Sequence, residues 1–269
     1  YALARYLIEM NIIPEIMIGY SLGEYAAACI SGVFTLKEAI HIVHARGELI
    51  ESTSKGAMLS VPLKIEQIDK ELLTNLSVAI DNGETCVIAG TDEYIDKFCK
   101  ELQERKVMVM KLNVKHPIHS HLMKPIEDDF IKIFDKIELK HPIIPFVSNV
   151  TGEVIRKEDA IDPYYWAKHL INTVKFNNGL HALLKQEITH FLEVGPGNEL
   201  SIIVKRFVDK DDKIFIDNLL SRNKNISEER YFTEKLGKLW MSGINIDWIK
   251  YNTYRNFQKV KLPTYSFEK

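Results

Sequence analysis

The sequence predicts an α/β protein. A large parallel-sheet body, residues 1–55 and 114–244, is interrupted by a small ferredoxin-like βαββαβ unit at 56–113 and followed by an extended linker or strap at 245–269. Short apolar runs bounded by proline or glycine alternate with stretches of helical spacing, the pattern of a parallel sheet covered on both faces. Between Gly56 and Asn113 closely spaced strands replace that alternation, and beyond Asn245 periodicity fades.

Leu3, Tyr6, Leu7 and Met10 share one face of an opening helix. The first residue is not Met, so the chain reads as starting within that helix, as part of something longer. The run NIIPEIMIG, bounded by Pro14 and Gly19, suits a buried parallel strand, and the alanines of SLGEYAAACISGVF favour a helix that Gly32 can end. The inserted unit reads as strand AMLSVPL, a helix around IEQIDKELLTNL, strands SVAID and CVIAG joined by NGET, helix DEYIDKFCKELQERK and strand VMVMKLNV. The body resumes with a helix, the strand IIPFVSNV before the turn TGE, helices around PYYWAKHLI and NNGLHALLKQEI, and the strand HFLEVG before PGN.

A formal net charge of -2 gives no chain-wide attraction to nucleic acid or to an anionic membrane, so neither partner is expected. No apolar run is long enough to span a bilayer and the first residues carry no basic leader. Cys29, Cys86 and Cys99 are odd in number and lack CxxC spacing, which fits buried thiols in a reducing, cytoplasmic compartment.

Ser21 lies in GYSLGE, an instance of GxSxG between a predicted strand and a predicted helix, the context in which that motif carries a nucleophile. Gly19 and Gly23 leave no side chain where a strained turn packs, so the hydroxyl can project toward a substrate. The backbone N–H of Leu22, at the start of the following helix, is placed to stabilise an oxyanion. A serine flanked by glycines can also be a plain turn.

A serine nucleophile needs a base, and nine histidines compete for the role. His41 and His44 sit on a helix and His141, His181 and His190 at element edges, where solvated or structural histidines are common. HPIHSHLMKP differs, because it follows the insert where the chain re-enters the body, beside the cleft between them. His116, His119 and His121 could alternatively be read as metal ligands, but no cysteine or acidic cluster nearby completes a set, and no metal is expected.

The segment GYSLGEYAAACISGVFTLKEAI resembles the GHSxGE region of malonyl-type acyltransferases, with Tyr20 where that family usually has His, and HPIHSHLM resembles its HAFHSPLM. SNVTGE, DPYYW, FLEVGPGNELS and the terminal LPTYSF extend the likeness over nearly the whole chain. The chain is thus similar to the acyltransferase domain of a modular polyketide synthase.

That resemblance implies a hydrolase-like body and makes His119 the general base. It sets His116 beside the acyl pocket and gives the orienting backbone carbonyl to His169. It makes Arg46, in HARGELIESTSKGAM, the residue that binds the free carboxylate of the acyl group, a task suited to a planar, permanently charged guanidinium. Ile118 and Leu22 then favour malonyl over larger extenders.

The implied donor is malonyl-CoA and the acceptor the phosphopantetheine thiol of an acyl carrier protein, with no bound cofactor. A ketosynthase and linker are the expected neighbours, and an upstream GQGSQ segment would supply a second oxyanion donor. Three rivals stand beside this: a hydrolase, which shares GxSxG but needs no carboxylate clamp, a transferase that takes an unusual extender from a carrier protein, and a docking domain without chemistry.

Overall fold

The computed structural model describes residues 1–208, 213–222, 225–253, 260–261 and 263–264. In chain order the body opens with α1 (Ala2–Glu9), β1 (Met17–Ile18), α2 (Gly23–Ile30) and α3 (Leu36–Ser52). Next come β2 (Ala57–Val61), β3 (Ser77–Asp81), β4 (Cys86–Gly90), α4 (Asp92–Glu104) and β5 (Met110–Lys111). Thereafter α5 (Glu127–Lys132), β6 (Phe146–Val147), α6 (Lys157–Ala160), α7 (Pro163–Ile171), β7 (Val174–Lys175), α8 (Phe176–Leu184) and β8 (His190–Pro196) follow. The described part ends with α9 (Glu199–Phe207), β9 (Phe215–Leu220), α10 (Glu228–Met241) and α11 (Trp248–Asn252).

The expected parallel pairing of the body occurs in two short ladders, β1 with β6 and β8 with β9. The first is only two residues long on each strand, because Pro14 and Pro145 stand just before it and proline cannot donate to a ladder. Pro145 contributes what it has: its carbonyl accepts the Met17 N–H at 3.0 Å. Gly32 ends α2 as its position suggests, with φ at +81° and the Val33 N–H returned to the Ala28 carbonyl at 3.0 Å. A reciprocal Thr35–Glu38 capping box starts α3.

In the inserted region the strand order is β5-β2-β4-β3 with every neighbouring pair antiparallel, the arrangement of a ferredoxin-like sheet. The helix expected around residues 65–76 is instead two 3-10 turns, Ile65–Gln67 and Lys70–Leu73. Ile68 and Asp69 between them are not helical. Burying Ile68 in the core under α4, while Asp69 takes the Arg105 guanidinium at 2.8 Å, outweighs the local helical spacing.

Alternation along the strands gives this sheet two buried faces. Ala57, Leu59, Val61 and Ile88 pack with Ile95, Phe98 and Leu102 of α4. Met58, Ala79, Val87 and Ala89 pack with Val174, Phe176 and Leu180 of the body. β7 adds a fifth strand parallel to β3, and the Thr173 hydroxyl donates to the Val78 carbonyl at 2.6 Å.

The main body core gathers Tyr25, Ile42, Phe130, Phe146 and Trp166. The predicted face of α1 buries Leu7 and Met10 against Phe232 and Leu236 of α10. The stretch expected to be extended from residue 245 contains α11, which buries Tyr251. Of the terminal LPTYSF, only Pro263 and Thr264 lie within the described residues.

Candidate active site

β1 delivers the chain into a tight turn at Gly19–Leu22, and α2 departs from it. Ser21 holds φ at +50°, a left-handed conformation that costs a non-glycine residue on the order of 1–3 kcal/mol. Gly19 is required by close approach, since a Cβ there would stand 2.1 Å from the Glu24 nitrogen. Gly23 differs from the expectation: a Cβ there would meet nothing within 4 Å.

The strain at Ser21 is held by Asn149, from the turn after β6. Its Oδ1 accepts the Ser21 N–H at 2.8 Å and its Nδ2 donates to the Gly19 carbonyl at 2.8 Å. One buried amide thus grips the turn on both sides of the serine. Asn149 lies within the SNVTGE segment, yet an asparagine in a turn carries no sequence signal of such a task.

Ser21 Oγ and His119 Nε2 are 2.6 Å apart. His119 is buried, with φ at +57°, and the C-terminus of α7 fixes it twice. Its N–H donates to the Leu170 carbonyl at 3.1 Å, and its Nδ1 meets the Asn172 carbonyl at 3.2 Å. That contact sets the proton on Nδ1 and leaves Nε2 as acceptor for the serine hydroxyl. The hydrogen-bonding carbonyl is therefore three residues beyond the position expected at His169, although the His169 carbonyl also favours the charged imidazole.

Burial holds His119 well below the usual imidazole range, aided by repulsion from His169 and Arg46. The ring is neutral at pH 7, as a base must be. Carbonyls at the negative end of a helix then face it as it gains a proton.

His169 itself is buried, its Nε2 3.4 Å from Glu24 Oε2, and its ring lies edge-on to His119 with centroids 5.8 Å apart. The backbone N–H of Leu22 has no protein acceptor among the described residues and lies beside Ser21.

Arg46, on α3, is only 7% exposed, and its Nε and Nη2 have no hydrogen-bond partner among the described residues. Its guanidinium carbon is 5.8 Å from the centroid of the Tyr25 ring. A buried guanidinium without a carboxylate is costly unless a ligand supplies the counter-charge.

Ile118 is half-buried and touches both the body core and the core shared with the insert, so it lies between the two. His116 is buried, with Nδ1 3.2 Å from Thr53 Oγ1 and Nε2 3.2 Å from Glu51 Oε2. His121 turns to Ser77 at 2.9 Å. The three histidines of HPIHSH thus have separate partners, and no metal-binding group of three side chains assembles among the described residues. Tyr20 accepts a hydrogen bond from Asn82 Nδ2 at 3.2 Å and packs edge-on against Phe176, joining the serine turn to the β3–β4 hairpin.

A strained serine between a strand and a helix, bonded to a neutral buried histidine, defines a covalent acyl-transfer site. The chain belongs to the acyl transferase domain family, whose model matches residues 2–245. It is 30% identical over its full length to the phenolphthiocerol synthesis polyketide synthase type I Pks15/1 of Mycobacterium marinum. It is 29% identical, also over its full length, to the spectinabilin polyketide synthase system protein NorB of Streptomyces orinoci. The chain spans 13% of the length of each.

Among solved structures, the acyl transferase domain of ZmaA matches with a TM-score of 0.86 and 36% identity, over 98% of this chain and 62% of that one. The acyl transferase domain of SpnD, solved in complex with 2-(pent-4-yn-1-yl)malonyl, matches at 0.85 and 34%, over 90% of this chain and 60% of that one. No helix among the described residues is long and apolar enough to cross a membrane.

Proposed function

We propose that this acyltransferase moves a malonyl unit from coenzyme A, through an ester on Ser21, to the phosphopantetheine thiol of an acyl carrier protein. It would do so within a multidomain polyketide synthase that also holds a ketosynthase. The observation that carries the choice of substrate is the buried Arg46 guanidinium with unpartnered donors beside the Ser21–His119 pair. Such a group suits a free carboxylate and has no use for a simple fatty acyl chain. Ile118, between body and insert, leaves an α-substituent little room. The body at 1–55 and 114–244, the insert at 56–113 and the strap from 245 are proposed as the units of this domain, with the cleft between body and insert receiving the donor.

In the first half-reaction His119 Nε2 takes the hydroxyl proton as Ser21 Oγ attacks the thioester carbonyl. The Leu22 N–H holds the oxyanion, and its collapse breaks the C–S bond. The coenzyme A thiolate leaves and takes the proton from His119. In the second half the carrier thiol gives its proton to His119 and attacks the ester, and Ser21 recovers the proton as it departs. The kinetic order is ping-pong.

Intact mass after brief exposure to malonyl-, methylmalonyl- or acetyl-CoA tests this. The expected result is a malonyl-sized adduct, absent in Ser21→Ala and reduced about 100-fold or more in rate in Arg46→Ala, as expected for loss of a charge-assisted bidentate contact. An acetyl adduct formed as fast as the malonyl one, or an Arg46→Ala variant with unchanged preference, would refute the carboxylate assignment.

A further inference from the structure

Behind the serine and histidine lies a second set of buried polar groups that the acyl-transfer steps leave unused. Glu24, on the first turn of α2, is fully buried. Its Oε2 accepts the Asn149 N–H at 2.7 Å, and its Oε1 accepts the Tyr165 hydroxyl. Both donors are neutral. The cationic candidate within ion-pair distance is His169, whose Nε2 stands 3.4 Å from Oε2 while its side chain, too, is wholly buried. Neither ring nitrogen of His169 makes a hydrogen bond among the described residues, so its approach to Glu24 is one of charge and proximity.

We propose that Glu24 and His169 form a buried carboxylate–imidazolium pair that positions the reacting groups. It would hold the Ser21 turn through Asn149 on one side and present a fixed positive charge to the edge of His119 on the other. The proposal rests on the Ser21–His119 reading above.

Three physical arguments support it. A buried carboxylate without a counter-charge is strongly unfavourable, and among the described residues no lysine or arginine contacts Glu24. His169 sits in the last turn of α7, where the helix dipole favours a cation. Glu24 sits in the first turn of α2, where the dipole favours an anion.

The charged and titratable groups around the two histidines are few. His119 faces Ser21, His169 and Arg46. His169 faces Glu24 and Tyr25 from α2 and His119 from the loop after β5. A positive His169 discourages protonation of His119, so the base stays neutral and returns its proton readily to the leaving thiolate. The two rings are 5.8 Å apart, close enough for that charge to lower the proton affinity of His119.

Labelling of Ser21 by a fluorophosphonate probe reads the neutral fraction of His119 without any acyl donor, so its outcome is separate from the choice of malonyl-CoA. In His169→Asn the acid limb of the labelling rate is expected to move to higher pH. Imidazole ¹⁵N spectra of the unsubstituted chain between pH 6 and 8 should show His169 with both ring nitrogens protonated, and neutral in Glu24→Gln. A neutral His169 in the unsubstituted chain, or an acid limb unmoved by His169→Asn, would overturn the proposal. The spectrum decides the matter even if the variants do not fold.

Discussion

Removing the Asn149 side chain tests how the strained serine turn is held. Asn149→Ala deletes two hydrogen bonds, to the Ser21 N–H and the Gly19 carbonyl, both 2.8 Å long and the second fully buried. At about 1–1.5 kcal/mol each, their loss comes to roughly 2–3 kcal/mol. Relaxation of the Ser21 backbone returns on the order of 1 kcal/mol, leaving a net loss of about 1–2 kcal/mol, or a melting temperature lower by roughly 2–8 °C. Activity suffers more than stability, because a relaxed turn withdraws Oγ from its 2.6 Å contact with His119.

A displacement of about 1 Å in a reacting atom costs on the order of 100-fold. The rate of Ser21 acylation, followed by intact mass in a quenched time course, is therefore expected to fall by at least about that factor. Asn149→Asp should do worse, since a carboxylate cannot donate to the Gly19 carbonyl and is added close to Glu24. An Asn149→Ala protein that melts within about 1 °C of the parent and acylates at the parent rate would refute the argument.

Two further expectations concern protons and glycines. Acylation needs neutral His119, whose proton affinity burial depresses, so the rate should hold level as the pH falls through the ordinary imidazole range and drop only below it. Unfolded His takes up a proton near pH 6.5 while folded His119 resists it, so its contribution to stability is complete above about 6.5 and shrinks as the pH drops toward the folded value. Denaturant titrations at pH 7.5 and 5.5 measure this, and a slope that His119→Gln leaves unchanged would contradict it. Gly19→Ala should yield little folded protein, because its Cβ meets backbone, whereas Gly23→Ala should fold like the parent by thermal melting. The reverse order would show that the turn is not packed as described.

Ser21 and the HPIHSH histidines could be singled out from the chain because their chemistry is unusual for their surroundings, whereas Arg46 is legible only through the family resemblance, its own segment reading as the exposed face of an amphipathic helix. A serine between glycines after a strand, or a histidine where the chain returns from an insert, stands out locally. Asn149, Glu24 and Asn172 were not legible, for different physical reasons. Asn149 and Glu24 act through contacts more than a hundred residues apart in sequence. Asn172 acts through its carbonyl, which every residue has, so only the geometry of the helix end selects it. The same limit governed the fold: apolar spacing located the insert's strands, but not that burial of Ile68 would split the first helix, nor that two body residues, Val174 and Lys175, would join the insert's sheet.

That fifth strand bears on how such a domain can be cut and recombined. Asn172, Thr173, Val174 and Lys175 are consecutive, so the carbonyl that meets His119 and the strand that completes the insert's sheet are one piece of chain. A chimaera that exchanges residues 56–113 alone would match a foreign β3 to a resident β7 and pull on the base through a link three residues long. Exchanging the 172–175 segment together with the insert keeps strand partner and base support from the same parent, and is the unit for grafting that this architecture favours.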